Sequence, residues 1–383
     1  MKTLSILGAT GSIGMQALSV ADSFPDKIKI VSLSAHSNAD KLFELVRKYR
    51  PKAAALTQGE ADIPEDLHFC EWFFGKDALK QMTENVPSDD VLVSVVGMSA
   101  LEAVLSAIKT KKRVLLANKE TLVAGGDIIM PLCNVFGENA NLLPVDSEHS
   151  AIHQCLSGAG GSSKFKSIVL TASGGPFRTY TKQQMQHVTL KDALKHPTWN
   201  MGAKITIDSA TMFNKALEVI EASYLFSAPG EKIKVLIHPQ SIVHSMVEYE
   251  NNSVLAQMGV PDMKTPISYA MFYPVYMKAV SERLDLSSIG YLSFERPDFD
   301  KFKALKLAFY ALKTGGSAPC VLNAANEAAV YAFLDKRISF ASIYDTVENV
   351  LNLSLPKANT VEEILAADSW ARLQAEQYIS RIS

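Results

Sequence analysis

Net charge is nearly absent from this chain. Its 383 residues carry 38 basic and 40 acidic side chains, a formal charge of −2. That leaves no basic field to hold DNA or RNA and no polybasic run for an anionic membrane surface. Cysteine is scarce too: Cys70, Cys133, Cys155 and Cys320 stand far apart without a CxxC pair, which argues against a disulfide framework and a structural zinc cluster and fits a reducing cytoplasm. A signal-peptide pattern is missing, because Met1 leads straight into a strand-like apolar segment and glycines. Long hydrophobic runs are missing as well. A bilayer span needs roughly 20 apolar residues, whereas the run from Ile267 to Met277 is shorter and Pro274 interrupts it, with Pro266 just before. Repeats and low-complexity tracts do not occur.

What remains is an apolar-rich chain, 48% hydrophobic by residue, long enough for two or three domains. Short apolar runs alternate with helix-like segments up to about Pro144, the pattern of βα units on a parallel sheet. Strands are expected at 3–7, 28–34, 52–56, 91–96, 113–117 and 141–145. The fold class is therefore an α/β N-terminal Rossmann-like parallel sheet, followed by an α+β catalytic domain and a small all-α C-terminal domain. The expected boundaries are 1–144, 145–285 with a loop near 196–202, a connector at 286–302, and 303–383.

Six stretches could carry chemistry. Gly8-Ala9-Thr10-Gly11-Ser12-Ile13-Gly14 follows the first strand and opens a helix, where glycines let the backbone approach a pyrophosphate and helix-start N–H groups bind its charge. The alternative is a glycine turn that merely packs helix on strand. After the second strand comes Ser34-Ala35-His36-Ser37-Asn38. An acid here would bond a ribose 2′-hydroxyl, so its absence favours NADP over NAD. An ordinary polar turn is the competing reading.

Asp146-Ser147-Glu148, with Glu218 further along, offers carboxylates. In extended backbone, residues two apart share a face, so Asp146 and Glu148 are expected to converge. Oxygen ligands select Mg²⁺ or Mn²⁺ over zinc, while a solvated turn or helix cap would look the same in sequence. His149 and His153 are expected to face a core or the wall of the site, because no cysteine or third histidine completes a zinc set. Further on, Ile205–Ile207 reads as a strand, and Ala210 onward as a helix capped by Asp208 or Ser209. Asn214 and Lys215 are helix-surface neighbours of Glu218. Lys215 could grip a phosphate while Glu218 ligates metal, or the two could form a surface ion pair. Finally, Ser173-Gly174-Gly175-Pro176 offers a hydroxyl and approachable backbone to an anion. His196-Pro197-Thr198-Trp199-Asn200-Met201-Gly202 could form a lid or anchor its Trp in the core.

Together these stretches resemble the 1-deoxy-D-xylulose 5-phosphate reductoisomerase family. The resemblance extends through Ala117-Asn118-Lys119-Glu120, Thr171-Ala172-Ser173-Gly174-Gly175-Pro176-Phe177, His238-Pro239-Gln240-Ser241 and Asn323-Ala324-Ala325-Asn326-Glu327, over nearly the whole chain. It implies an NADPH- and metal-dependent enzyme of non-mevalonate isoprenoid synthesis, cytoplasmic and homodimeric, with a ketose phosphate rearranged and then reduced. By the same resemblance Asp146, Glu148 and Glu218 bind Mg²⁺ or Mn²⁺. Thr10, Gly11, Ser12, Ile13, His36, Ser37, Asn38, Asn118, Glu120 and Gly202 meet the cofactor. Ser173, Ser209, Asn214 and Lys215 bind the substrate phosphate with His196 closing over it, Lys119 and Ser147 contact substrate oxygens, and Trp199 and Met201 form the lid. Catalytic duty falls on Lys119, Glu148, Glu218 and His196. One departure stands out: the family commonly has a Gly-Lys-Asn-type turn where this chain has His36-Ser37-Asn38, so the basic residue is missing. Two other functions remain open to the residues alone: an NADP-dependent dehydrogenase of another sugar phosphate, and a dinucleotide-sensing protein.

Overall fold

A computed structural model describes residues 1–160, 164–195 and 202–383, and the chain divides into two compact units. The first comprises residues 1–121, 131–153 and 262–283. Its strands β1 (Lys2–Leu7), β2 (Ile28–Ala35), β3 (Ala53–Leu56), β4 (Glu71–Phe74), β5 (Asp90–Val93), β6 (Arg113–Leu116) and β7 (Leu142–Pro144) form one parallel sheet in the order β4-β3-β2-β1-β5-β6-β7. The inner strands are buried along most of their length because helices cover both faces of a parallel sheet. Crossover helices α1 (Ser12–Asp22), α2 (Ala39–Tyr49), α3 (Ala78–Asn85) and α4 (Leu101–Lys109) supply that cover. In α2 the stripe Leu42, Phe43, Leu45 and Val46 turns inward, and the Asn38 side chain caps the helix by accepting the Lys41 N–H at 3.1 Å.

The six strands expected before about Pro144 all occur, with ends shifted by up to three residues. The sequence reading missed β4, four residues at the sheet edge, too short to show an alternation.

Helices α5 (Lys119–Ile129) and α6 (Ser147–Gly158) begin in this unit. Residues 262–283 return to it and carry helix α11 (Lys264–Phe272), whose Ile267, Ala270 and Met271 join the core of Leu4, Ile6 and Leu33. Arg113 fastens this return. Its guanidinium grips the Asp90 carboxylate with bonds of 2.7 and 2.8 Å and donates to the Met271 and Tyr273 carbonyls at 2.9 and 3.0 Å, the planar fork that suits Arg to such a junction.

The second unit holds residues 122–130, 154–261 and 284–383. Strand β8 (Phe165–Ala172) pairs in parallel with β9 (Ile233–Ile237) and antiparallel with β10 (Val243–Tyr249), and β11 (Val254–Met258) adds to the far side of β10. Between β8 and β9 come short helices α7 (Lys182–Met185) and α8 (Leu190–Ala193), then α9 (Ala203–Thr211) and α10 (Phe213–Leu225). After α12 (Leu286–Ile289) the chain is helical: α13 (Lys303–Thr314), α14 (Ala318–Leu334), α15 (Phe340–Leu351) and α16 (Val361–Ile382). Phe177 meets Phe340 edge-on at 5.2 Å and Phe213 stacks on Tyr344 at 5.9 Å, so this unit shares one aromatic core. Among the described residues, no helix is long and apolar enough to cross a membrane.

His153 lies in the core of the first unit. Its Nε2–H donates to the Val135 carbonyl, which leaves Nδ1 to accept the Tyr269 hydroxyl at 2.7 Å, and Phe136 stacks on the ring. Burial pushes the imidazole down to about 4, since the neutral form alone fits this apolar pocket. The folded value lies below the unfolded one. The resulting stability is therefore full above about pH 6.5 and is lost as pH falls towards 4, about 3 kcal/mol in all. In urea titrations His153→Gln should flatten this part of the pH profile; an unchanged slope would assign it to other groups.

Candidate functional site

In a doubly wound sheet, ligands sit beyond the carboxyl ends of the strands where the order reverses. Here that point lies between β1 and β5, the two strands that β1's central position makes neighbours. The Gly8–Gly14 loop leaves β1 there. Ser34 and Ser94 hold it: the Gly8 N–H donates to Ser34 Oγ at 2.9 Å, the Ala9 N–H donates to the Ser34 carbonyl at 2.7 Å, and Ser94 Oγ donates to the Leu7 carbonyl at 2.8 Å. The sequence reading had Ser34 only as the start of the turn after β2 and did not single out Ser94, because a serine at a strand end is common.

The three glycines have different reasons to be there. Gly8 has φ +91°, and a Cβ would sit 2.9 Å from Ser94 backbone; at Gly14 a Cβ would come within 2.3 Å of the Gly8 carbonyl oxygen. Both are required by the turn and by packing of α1 on it. Gly11, exposed, has an ordinary φ of −78° and a Cβ there would meet only the Gly8 oxygen at 3.4 Å. Gly11 is also the cap of α1, which has neither a side-chain cap nor an acid in its first turn. The first amides of α1, with Thr10, Ser12 and Ile13 around them, are thus arranged to receive an anion.

At the end of β2, His36 is exposed and its Nδ1 bonds Thr57 Oγ1 at 2.8 Å, a partner the sequence did not suggest because it comes from the chain just after β3. Ser37 lies in the same exposed turn, and Asn38 spends its side-chain oxygen on the α2 cap. At the end of β6, buried Asn118 donates to the Val95 and Gly97 carbonyls at 2.7 and 3.0 Å and accepts the Thr121 N–H at 2.8 Å. It thereby joins the ends of β5 and β6. Buried Glu120 accepts from the same amide at 3.2 Å.

The carboxylates of the first unit adopt a different geometry from the extended one expected. Asp146 stands just before α6, its backbone carbonyl accepting the Ser150 N–H and its side chain the Glu148 N–H at 3.2 Å. Glu148 is in the first helical turn. A helix start, with amides that need acceptors, prevails over the extended reading. Ser147 Oγ donates to Glu148 Oε2. The Lys119 ammonium, itself largely buried, lies 2.9 Å from Asp146 Oδ2. His149 is buried, with Nδ1 3.8 Å from Asp146, whereas His153 lies in the core of the first unit; for both, a place in the core or in the site's wall was expected.

In the second unit, Ile205–Ile207 is helix, not strand. The β-branched residues suggested a strand, but α9 begins at Gly202, the Thr206 hydroxyl bonds back to the Gly202 carbonyl at 2.8 Å, and Lys204 pairs with Asp208 one turn on at 2.8 Å. Neither Asp208 nor Ser209 is a cap; both lie inside α9. Asp208, 2% exposed, also accepts from Asn326 of α14 at 2.8 Å. Lys204 and the partner role of Asn326 were not read from the sequence. Ser209 sits in the last turn, where Gly175, with φ +65°, packs so closely that a Cβ would lie 2.7 Å from the Ser209 carbonyl oxygen. Ser173 Oγ accepts the Gly175 N–H at 3.3 Å within the same loop. Met212, in the left-handed region at φ 63°, turns the chain into α10.

On α10, Glu218 accepts from Asn214 Nδ2 at 2.6 Å and pairs with the Lys215 ammonium. Lys215 is 3% and Glu218 0% exposed, which removes the surface-pair alternative. His196, Trp199 and Met201 lie outside the described residues. Gly202, assigned to the cofactor, caps α9.

Losing Asp208 would take the buried carboxylate away from both the Lys204 ammonium and the Asn326 amide. Asp208→Ala should cost about 3 kcal/mol in chemical denaturation, and Asp208→Asn less. A loss below about 1 kcal/mol would mean that water reaches the pair.

Family models described as 1-deoxy-D-xylulose 5-phosphate reductoisomerase, its C-terminal domain, and DXP reductoisomerase C-terminal domain match residues 4–126, 142–226 and 258–374. A protein of that name from Phocaeicola vulgatus is 46% identical, with 99% of each chain aligned. One from Pelodictyon phaeoclathratiforme is 48% identical over 99% of this chain and 100% of the other. Among solved structures, the Zymomonas mobilis enzyme in complex with NADPH aligns over 99% of both chains with TM-score 0.90 and 41% identity. A DOX-P reductoisomerase in complex with NADPH, fosmidomycin and magnesium aligns over 99% of this chain and 98% of that one, with TM-score 0.89 and 39% identity.

Proposed function

The chain belongs to the 1-deoxy-D-xylulose 5-phosphate reductoisomerase family, and from that premise we propose that it converts 1-deoxy-D-xylulose 5-phosphate to 2-C-methyl-D-erythritol 4-phosphate, using NADPH and Mg²⁺ or Mn²⁺, in non-mevalonate isoprenoid synthesis. The enzyme is an NADPH-dependent oxidoreductase. The first unit is the dinucleotide domain and the second unit binds the substrate phosphate.

The observation that carries this reading is the Asn214-Lys215-Glu218 set: a buried ammonium and a buried carboxylate one turn apart with half-buried Asn214 beside them, next in sequence to the turn where Ser209 meets the Ser173–Gly175 loop. A lysine placed there can serve a phosphate, with Ser173, Ser209 and Asn214 as its hydrogen-bonding companions. Asp146, Glu148 and Glu218 are the metal ligands in this reading. The fit rests on chemistry: all donors are carboxylate oxygens, which suit a hard ion, and Asp146 and Glu218 each already hold a cationic partner, Lys119 and Lys215. When bound, the ion polarises substrate oxygens and NADPH supplies the reducing equivalent. Lys119 steers a substrate oxygen electrostatically and Ser147 hydrogen-bonds another. Thr10 to Ile13 receive the pyrophosphate, His36 to Asn38 the adenosine ribose, and Asn118, Glu120 and Gly202 border the cofactor. His196, Trp199 and Met201 close over the substrate and keep water from it.

The protein acts in the cytoplasm as a homodimer. Supporting the second point, β11 is an edge strand with Val254 and Leu255 exposed, and an unpaired apolar edge calls for a partner.

The test is NADPH consumption with the ketose phosphate, with and without chelator. Metal-dependent turnover that yields the branched product supports the reading; metal-independent reduction would indicate a plain dehydrogenase, and NADPH binding without turnover a sensor. Lys215→Ala should raise KM for the ketose phosphate roughly ten- to a hundredfold with NADPH affinity kept; a loss confined to NADPH would contradict the phosphate role. Glu218→Gln should lower turnover and metal affinity together, and wild-type metal dependence would remove Glu218 from the ligand set.

A further inference from the structure

We propose that His36 makes the choice of NADPH over NADH depend on pH, through a proton taken up when the 2′-phosphate binds. The proposal rests on the dinucleotide reading of the first unit. Three observations carry it. His36 occupies the end of β2, the place where a dinucleotide fold reads the adenosine ribose. Its ring is anchored by one nitrogen only: Nδ1 bonds the Thr57 hydroxyl at 2.8 Å, a partner that can accept from a charged imidazole or donate to a neutral one. The residue is exposed, and Nε2 has no partner among the described residues.

Nothing else in the turn supplies a fixed positive charge. Ser37 is neutral and the Asn38 side chain caps α2. In the first turn of α2, Lys41 is paired with Glu44 at 2.6 Å and Asp40 carries the opposite charge. The chain after β3 brings Thr57, Gln58 and then Glu60, and the Gln58 N–H donates to the His36 carbonyl at 2.8 Å. The turn after β4 brings Lys76 and Asp77. Among the described residues, no carboxylate or ammonium hydrogen-bonds or ion-pairs with the imidazole. The charge that distinguishes a 2′-phosphate from a 2′-hydroxyl is therefore the one histidine acquires between pH 5 and 8.

The sign follows. A phosphate monoester is close to a dianion above pH 6, and an imidazolium beside it holds its proton to higher pH. At pH 7.5, above the ordinary range of an imidazole, NADPH binding draws in a proton and NADH binding does not. Discrimination falls as pH rises further, because the proton becomes harder to acquire.

Isothermal titration calorimetry of the full chain with NADPH and with NADH, in buffers of different ionisation enthalpy, reads this directly. At pH 7.5 NADPH should take up a proton that NADH does not, and the ratio of the two Kd values should fall roughly tenfold between pH 6.5 and 8.5. His36→Asn should remove the uptake and give a low, pH-independent ratio; His36→Lys should remove the uptake and keep the ratio high at pH 8.5. Equal proton uptake for the two dinucleotides, or an unchanged pH profile in His36→Asn, overturns the proposal while leaving the dinucleotide site intact. Failure of the wild-type chain to bind either dinucleotide overturns the underlying reading instead.

Discussion

Asp90, Asp146, Asp208 and Glu218 lose most of their water when the chain folds, and each meets a cation from its own compact unit: Arg113, Lys119, Lys204 and Lys215. An isolated carboxylate in such surroundings would take up a proton rather than stay charged. Pairing sets an opposite charge against each of the four. It also governs which parts of the backbone can be fixed, since Arg113 carries the 262–283 return and Asp208 carries the tie from α9 to α14. Breaking a buried pair from one side costs several kcal/mol, more than a well-packed apolar replacement of both partners would. Retaining charge at these positions therefore needs a reason other than stability.

The four pairs divide by what that reason is. Arg113 and Asp90 are saturated by each other and by two backbone carbonyls, an arrangement that holds structure and leaves no capacity for a ligand. Lys204–Asp208 is likewise tied on to Asn326. Lys119 and Lys215 differ, because each is a flexible ammonium next to carboxylates that a divalent ion also suits. An ammonium can serve a carboxylate or a substrate oxygen, and a point charge on a long stem changes partner at small cost. In the proposed reading, the lysines paired with these carboxylates are also the ones that contact substrate.

How much of this was legible from sequence depended on whether the deciding contact was local. The β1 loop and the parallel sheet were readable because glycine spacing and apolar runs act within a few residues. The helix start at Asp146–Glu148 was not, although Asp-Ser-Glu also fits a cap; an extended reading served the metal argument equally well. At Ile205–Ile207 the β-branched side chains pointed to a strand, and α9 prevailed through Gly202, the i,i+4 Lys204–Asp208 pair and burial of Ile207, Ala210 and Thr211 on one face. The partners from afar, Asn326 for Asp208 and Thr57 for His36, are 118 and 21 residues away, and no local pattern announces them. Lys215 and Glu218 were readable as neighbours, but their burial, which turns a commonplace surface pair into a site, depends on the rest of the unit.

The glycines after β1 show how structure separates two readings that sequence leaves merged. A glycine turn that packs helix on strand and a glycine loop that admits a pyrophosphate have the same letters. Gly8 and Gly14 satisfy the first reading, since any side chain would strike backbone. Gly11 does not need to be glycine for the fold: its φ is ordinary and its Cβ position is nearly open. What a side chain there would obstruct is the approach to the first amides of α1, which carry no capping side chain and no acid. The residue that internal packing fails to explain is thus the one that points to a ligand, and the same reasoning separates Lys215 from Arg113.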